Sequence, residues 1–217
     1  MRTTTARTRA RREDLGLDAK TFAQLAALTT PAQVQAFINA IPANFEPDGE
    51  TVRTVQGVLA HRQAHCIEGA MVAACALWMR GDAPLLMHLD CALGDYPHVV
   101  TLFRRGRHWG AVSKSNHAVL RFRDPVYRSL RELAMSYFHE YVDGCGDKTL
   151  RSYSQPLDLS RIDPALWITN AGNCWEIVPL LDRLRHTRLL PAGQRRWLRR
   201  RDRFERKGNA LVEYPEP

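Results

Sequence analysis

The sequence lacks any apolar run long enough to cross a membrane, since nowhere do about 18 apolar residues follow one another. Its basic start, MRTTTARTRARRE, is not followed by an apolar stretch of signal-peptide length either. These two absences predict a soluble, cytoplasmic protein without a membrane span. The less favoured alternative is a mitochondrial-type presequence, because residues 2–12 are rich in Arg and Thr and hold no acidic group.

Motifs for nucleotide and metal binding are also missing. Neither GxxxxGK followed by Ser or Thr nor GxGxxG occurs, so nucleotide-dependent chemistry has no support. Five cysteines, an odd number, occur without CxxC spacing, and we expect reduced thiols. The nearest approach to a zinc site is the group His61, His65 and Cys66, which has no recognisable fourth ligand. We therefore predict no metal.

The length and composition favour one domain with appended ends. A chain of 217 residues, 45% of them hydrophobic, can bury one sizeable core. We predict a basic flexible tail over residues 1–14, and a single domain over residues 15–190 that includes an N-terminal pair of helices. A basic C-terminal helix and tail are predicted over residues 191–217.

The net charge of +8 is unevenly distributed along the chain. Residues 1–12 carry five basic groups and no acidic ones, and residues 183–207 carry eleven basic groups against two acidic ones. Between them, residues 13–182 hold fifteen basic and nineteen acidic groups. Two basic ends on an acidic body indicate an accessory anionic contact or, the favoured interpretation, a solvated helix.

The segment CIEGAMVAACALWMR, from Cys66 to Arg80, is predicted to be a buried central helix. Its apolar residues surround nearly the whole circumference, and Glu68 is the only charge before Arg80. A helix that is apolar on all sides belongs in the interior. Arg80 suits the negative end of the helix dipole, and Gly81 suits a left-handed C-cap.

The segments on either side of this helix have other patterns. DAKTFAQLAALT and PAQVQAFINAI indicate the N-terminal helical pair. PLLMHLDCAL indicates a buried strand, and HVVTLF and HWGAVSKS indicate two strands of a hairpin that turns at RRGR. DPVYRSLRELAMSYFHEYV is predicted to form an amphipathic helix with Asp124 as its N-cap and Pro125 in its first turn.

Cys66 is a candidate nucleophile because a thiol at a helix N-terminus faces free backbone N–H groups and the positive end of the dipole. The structural alternative is that Cys66 packs in the core, as Cys75 is expected to do. His98 opens the strand HVVTLF and can point towards that N-terminus. A Cys followed by a His in this order is typical of papain-like folds. The adjacent His65 is not expected to reach the same thiol easily.

The runs HCIEGAMVAACALWMRGDAPLL and DYPHVVTLFRRGRHWGAV together resemble the core of transglutaminase-like, papain-like cysteine hydrolases, over residues 51 to about 125. The resemblance implies an α+β fold in which a central buried helix packs on a small antiparallel sheet, with helical N- and C-terminal additions. It implies no metal or organic cofactor. It also implies acyl transfer from a peptide, protein or small amide through a thioester, with Cys66 as nucleophile and His98 as base.

The third member of the catalytic group is open. In that family an Asp on the return strand orients the histidine, and this sequence has Ser113 at the corresponding place. Folding the hairpin about RRGR puts residue 98 roughly opposite residue 113, so Ser113, Ser115 or Asn116 could hold the imidazole. Asn116 is favoured because Asn has this role in papain-like proteases. Asp124 is second, because helix capping already accounts for it.

An oxyanion hole would need the backbone N–H of Cys66 and one further donor. Gln63 is the candidate, with Gln56 further upstream as an alternative. A plain surface glutamine is the simpler interpretation of either residue.

The C-terminal stretch PAGQRRWLRRRDRFERKG is predicted to be a helix that starts at Pro191. Arginines interleaved with aromatic residues suit an anionic partner, and Arg199, Arg200 and Arg201 are the candidate contacts. This supports a second function hypothesis, a catalytically inactive transglutaminase-like binding or scaffolding protein that contacts nucleic acid or another anionic partner. A nucleic-acid partner is not favoured, since a docked helix with its arginines in water explains the stretch equally well.

Overall fold

The structure is a computed structural model that describes residues 9–216. The α-helices in this range are α1 (Arg12–Leu15), α2 (Ala19–Ala26), α3 (Pro31–Asn39), α4 (Val55–His61), α5 (Cys66–Trp78), α6 (Leu130–Ser136), α7 (Ile177–Asp182) and α8 (Arg203–Asn209). The strands are β1 (Leu85–Cys91), β2 (His98–Arg105), β3 (His108–Val112), β4 (Arg123–Tyr127), β5 (Leu150–Ser154), β6 (Leu157–Asp158) and β7 (His186–Arg188). None of these helices is both long enough and apolar enough to span a bilayer.

The strands form one antiparallel sheet in the order β4-β3-β2-β1-β5-β7, and β6 also pairs with β1. This combination of helices with an antiparallel sheet agrees with the predicted α+β class. The β2–β3 hairpin is tighter than expected: Arg105 pairs with His108, which leaves Gly106 and Arg107 as a two-residue turn. Gly106 has a φ of 59°, in the left-handed region that such turns require.

Helix α5 is the buried helix that the sequence predicts. Every residue from Ile67 to Leu77 is buried. One side of α5 packs on β2 and β1, where Thr101 Oγ1 donates a hydrogen bond to the carbonyl of Ala70 at 2.6 Å. Helices α2, α3 and α4 contact α5 as well, so it is enclosed on several sides. Gly81 adopts the expected left-handed conformation just after the helix, with a φ of 88°.

The sheet carries a hydrophobic core on each face, which explains why β2 reads as a continuous apolar run. Val99 and Phe103 face the core that contains α5, whereas Val100 and Leu102 face the core that contains α6. Successive side chains of a strand point to opposite faces, so both sets are buried only when both faces are covered.

The segment predicted as one long helix from Asp124 is instead strand β4 followed by helix α6. Asp124 is exposed on β4, at the edge of the sheet, and is not a helix N-cap. The cap is Ser129, whose hydroxyl accepts a hydrogen bond from the Glu132 N–H at 3.1 Å. A proline such as Pro125 is tolerated in an edge strand, which is why the pattern Asp-Pro was misleading here.

The two ends of the chain also differ from prediction. The predicted C-terminal helix is divided into a 3-10 turn (Gln194–Trp197) and α8, which is capped by Asp202. At the other end, residues 1–8 of the predicted flexible tail lie outside the described residues, as does residue 217. Within the predicted tail, Ala10 is buried and its N–H donates to the carbonyl of Trp78 at 3.3 Å. None of the five cysteines is joined to another by a disulfide.

Gly69 allows the chain after β3 to pass close to α5, and this contact predicts a stability difference between two helical glycines. A Cβ at position 69 would lie 2.5 Å from the Cβ of the buried Lys114, whereas a Cβ at Gly208 in α8 would meet nothing within 4 Å. We expect Gly69→Ala to lower the free energy of unfolding by roughly 1–3 kcal/mol. The control Gly208→Ala should raise it by about 0.5 kcal/mol. Denaturant unfolding measures both, and equal effects would contradict the close approach.

A histidine pair between β1 and β7 predicts loss of stability in acid. His88 is buried, and its Nδ1 lies 3.1 Å from Nε2 of His186. Burial and the neighbouring His186 lower the pKa of His88 below its ordinary 6.5. The unfolded chain therefore binds the proton more readily, so this contribution to stability falls as pH falls from about 7 to about 5.

The measurement is the free energy of unfolding across that pH range. His88→Gln should flatten its slope, while His108→Gln, on the exposed end of β3, should leave the slope unchanged. An unaltered slope in His88→Gln would remove this explanation.

Candidate active site

Cys66 is the first residue of α5 and is partly exposed at one end of an otherwise buried helix. As the sequence predicts, its position places the thiol beside first-turn N–H groups that have no intrahelical acceptor. It lines a cavity of about 510 Å³, together with His65 and His98. The thiol is therefore accessible from the cavity while its helix is anchored in the core.

His98, the first residue of β2, reaches the thiol from the sheet. It is 7% exposed, and its Nε2 lies 2.7 Å from the hydroxyl of Ser113. That hydroxyl donates its own proton to the carbonyl of Leu120 at 2.5 Å, so it accepts a hydrogen bond from Nε2–H. With Nε2 protonated, the neutral ring has its lone pair on Nδ1, the nitrogen left to interact with Cys66.

His65, the N-cap residue of α5, reaches the same thiol, contrary to the sequence-based expectation. Its Nε2 donates to the carbonyl of Thr51 at 2.9 Å and lies 3.5 Å from one carboxylate oxygen of Glu46 and one of Glu68. The backbone at an N-cap is extended rather than helical, which turns the His65 ring back over the first turn of the helix. Cys66 thus has one imidazole from the sheet and one from its own helix cap.

Glu68 is fully buried and holds the approach to α5 in place. Its carboxylate accepts hydrogen bonds from the Thr51 hydroxyl at 2.8 Å, the Arg53 N–H at 2.9 Å, the His65 N–H at 3.0 Å and the Asn44 amide at 3.2 Å. A buried carboxylate is tolerated only when its oxygens are satisfied in this way.

The pKa values of the thiol and of His65 are shifted in opposite directions. Burial by itself raises the pKa of Cys66, but the hydrogen bonds and positive charge of His65 and His98 outweigh burial, and the pKa falls well below 9.0. Burial likewise lowers the pKa of His65, but the Cys66 interaction and the negative charge of Glu68 raise it to about 9. Near neutral pH this pair favours a thiolate beside an imidazolium.

Of the residues predicted to orient His98, Ser113 is the one whose side chain contacts the imidazole. The Asn116 side chain instead exchanges two hydrogen bonds of 2.9 Å with the backbone of Tyr214, and the Ser115 hydroxyl accepts from the His117 N–H. The hairpin turn has two residues rather than four, so the β2–β3 register differs from the predicted one, and its pairs end at Thr101 and Val112. Ser113 meets His98 beyond the last of these pairs. The exposed Asp124, on edge strand β4, does not line the cavity.

The predicted oxyanion-hole donor, Gln63, is exposed and does not line the cavity that contains Cys66. The structure therefore does not bring its amide to the thiol. The backbone N–H of Cys66 remains the donor placed by the helix itself.

Arg199, Arg200 and Arg201, the predicted contacts for an anionic partner, bind acceptors of this chain. Arg199 forms two hydrogen bonds to Glu205, at 2.7 and 2.8 Å, and Arg200 Nε lies 2.9 Å from Asp147. Arg201 donates to the carbonyl of His139 and to the Asn209 side chain. Arg200 and Arg201 therefore hold the C-terminal segment against the domain, whereas Arg199 pairs within that segment.

The described chain offers no grouping suited to a metal ion: over residues 9–216, no three or more His, Cys, Asp or Glu side chains are so arranged. His61, which the sequence groups with His65 and Cys66, is exposed and does not line the cavity.

Sequence reasoning missed His65, Glu46 and Glu68 as parts of this site. The spacing His-Cys-x-Glu contained a usable signal, because an N-cap residue and the residue three positions later approach each other at a helix start. No comparable signal exists for Glu46. It lies in the turn-rich segment NFEPDGE, well before α5 in the sequence, and only the folding of that loop brings its carboxylate to His65.

No protein-family model matches the chain, and no curated protein matches it.

The lowered pKa of Cys66 predicts selective alkylation in mildly acidic solution. Iodoacetamide at about pH 6 should modify Cys66 faster than the exposed Cys145, because the thiolate is the nucleophile and a free cysteine titrates near 8.5. Mass spectrometry of peptides from the alkylated protein measures both rates. The variants His65→Ala and His98→Ala should each move the alkylation midpoint of Cys66 to higher pH; faster modification of Cys145 in the unmutated protein would contradict the assignment.

Proposed function

We propose that this protein is a cysteine-dependent amide hydrolase or acyltransferase of the transglutaminase-like type, acting through a thioester on Cys66. The observation that carries the proposal is the convergence of the Cys66 thiol with two imidazoles, His65 and His98, in a cavity at the N-terminus of a buried helix. A cysteine that only packs in a core needs neither a lowered pKa nor access to a cavity.

The first half of the reaction forms the thioester. The sulfur of Cys66 attacks the carbonyl carbon of an amide and gives a tetrahedral intermediate, whose oxyanion lies near the Cys66 backbone N–H. The proton that Cys66 has given up is held at Nδ1 of His98 and passes to the leaving nitrogen as the C–N bond breaks. An amine departs and the acyl group remains on sulfur.

The second half releases the acyl group. His98, now neutral, takes a proton from water or from an acceptor amine, whose oxygen or nitrogen attacks the thioester carbonyl. The C–S bond breaks and sulfur leaves as the thiolate. Water gives a carboxylic acid and an amine gives a new amide, so the two activities share every step up to the thioester.

The two histidines have different supports and so suit different roles. His98 is held by a hydroxyl, Ser113, which fixes its tautomer without adding negative charge. His65 lies against the Glu46 and Glu68 carboxylates, which favour its protonated form. In the proposed mechanism His98 transfers protons, while the His65 imidazolium stabilises the thiolate.

The arrangement of elements supports the transglutaminase-like assignment. Cys66 begins the buried helix α5, and His98 begins β2, the middle strand of the antiparallel unit β1-β2-β3 on which α5 packs. Ser113 on the segment after β3 takes the place that an acidic residue has in that family. The five free thiols agree with the proposed cytoplasmic location.

The alternative is a protein that keeps this fold for binding or scaffolding without the chemistry. The observation in its favour is that Ser113, a neutral group, orients His98. Against it stands the accessibility of the Cys66 thiol, which binding alone does not require.

The proposal predicts a graded loss of activity in four variants. With a panel of glutamine-containing peptides, Cys66→Ala should abolish ammonia release, and His98→Ala should lower kcat by about 10²–10⁴-fold. Ser113→Ala should lower kcat less than His98→Ala, and more than Asn116→Ala, because Ser113 contacts the imidazole and Asn116 does not.

Two readouts complete this test. Mass spectrometry of the acid-quenched reaction should show the acyl adduct on Cys66, and hydroxylamine should remove it. Activity that survives Cys66→Ala would refute the proposed nucleophile, while absence of both ammonia release and acyl adduct across the panel would favour the binding alternative.

A further inference from the structure

The cavity that contains Cys66 continues into a second cavity of about 650 Å³. The two have five wall residues in common: Asp95, Tyr96, His117, Val142 and Asn209. Tyr96 is 87% exposed, so the boundary between the cavities is open to solvent rather than closed by the core. The two adjoining cavities, called the groove below, reach from the thiol to the C-terminal helix α8.

The far wall of this groove is basic. Arg203, Arg206 and Lys207, which all lie on α8, line the second cavity and are exposed. Among residues 9–216, none of the three side chains forms an ion pair or a hydrogen bond. Neighbouring Arg199, by contrast, is paired with Glu205. The three groove cations therefore have their charge available to a ligand.

Helix α8 is fixed in position, although it has only seven residues. The backbone N–H of Arg201 donates to the carbonyl of Gly146 at 2.9 Å, and the Asn209 amide donates to the carbonyl of Glu140 at 2.9 Å. Asp202 caps the first turn by accepting from the N–H groups of Phe204 and Glu205. Both ends of α8 are thus tied to the domain, and its cations are held beside the groove.

Two carboxylates also line the second cavity, and both already accept hydrogen bonds from their own chain. Asp95 accepts from the Tyr96 N–H and from the Thr149 hydroxyl, and Asp143 accepts from the N–H groups of Cys145 and Asp147. Their negative charge opposes a continuous phosphate backbone. A few separate carboxylates of a ligand can still bind near α8, because the three cations of α8 outnumber Asp95 and Asp143 in this cavity.

We propose that the groove binds an acidic peptide, with carboxylate side chains on α8 and an amide near Cys66. The inference rests on the proposed function for the identity of the reacting group, and it adds the substrate class. Charge on Arg203, Arg206 and Lys207 selects the peptide, and the groove length from α8 to the thiol sets which amide is presented. A peptide fits better than a nucleic acid because the cations are few and lie beside the two aspartates.

The test is a binding measurement that does not need catalysis. Fluorescence anisotropy of the full chain carrying Cys66→Ala compares a fluorescein-labelled peptide of sequence Glu-Glu-Gly-Gln-Gly-Glu-Glu with a counterpart in which every Glu is Gln. The acidic peptide should bind about tenfold or more tightly at low salt, and added salt should reduce the difference.

Matched variants locate the effect. Arg203→Gln, Arg206→Gln and Lys207→Gln together should remove the preference for the acidic peptide. The control triple, Arg183→Gln, Arg188→Gln and Arg195→Gln, removes the same charge from exposed residues outside both cavities and should keep the preference. Peptide affinity is also measured for the single variants Arg206→Gln and Lys207→Gln, and thermal unfolding is measured for every protein. A variant that loses affinity but keeps its unfolding temperature has lost a contact to the peptide and not its fold.

Equal affinity or no measurable affinity for the two peptides would overturn the inference, as would equal losses in both triple variants. Tighter binding of a single-stranded RNA of matched charge would overturn it in favour of a nucleic-acid groove. The binding assay uses a variant that lacks the nucleophile, so these outcomes test peptide binding alone. The catalytic proposal is tested separately, by the acyl adduct on Cys66.

Discussion

Glu68 lies in the first turn of α5 with no solvent exposure, and its carboxylate accepts hydrogen bonds from four groups of the segment that precedes the helix. An isolated buried carboxylate would be strongly destabilising, so the chain from Asn44 to His65 is constrained to bring its donors to this point. The same constraint sets the orientation of the His65 ring. Placement of the thiol and of its first imidazole thus follows from satisfying one buried charge.

The thiol itself balances two opposing effects. Burial disfavours a thiolate, whereas two imidazoles and the N-terminus of α5 favour it. One imidazole comes from the sheet and the other from the helix cap, so the site depends on how α5 packs against β2. The close passage of Lys114 over Gly69 and the hydrogen bond from Thr101 to Ala70 fix that packing. The position of the thiol between its two imidazoles therefore depends on the packing of the core.

The C-terminal segment completes the groove rather than forming a separate arm. Asn116 holds Tyr214, Ala118 N–H donates to the carbonyl of Leu211, and Tyr214 reaches the carbonyl of Asn39. These contacts fasten the loop after β3, which forms part of the cavity wall, to the final residues that the structure describes. Arg200 and Arg201, expected to face a partner, instead bind Asp147 and the carbonyl of His139 in the domain. The cations of α8 itself, Arg203, Arg206 and Lys207, line the groove.

Local sequence determined the central helix, the hairpin and the order of Cys66 and His98, because apolar periodicity and turn residues depend on near neighbours in the chain. It could not determine β4 at Asp124 or the break in the C-terminal helix, since strand pairing and docking there override local capping signals. Ser113 was one of several candidates until the fold tied the Asn116 side chain to Tyr214 and left the Ser113 hydroxyl against His98. The roles of His65 and Glu46 and the basic wall of the groove arise only in three dimensions, because each requires groups far apart in the chain to meet around a buried charge or along a shared cavity.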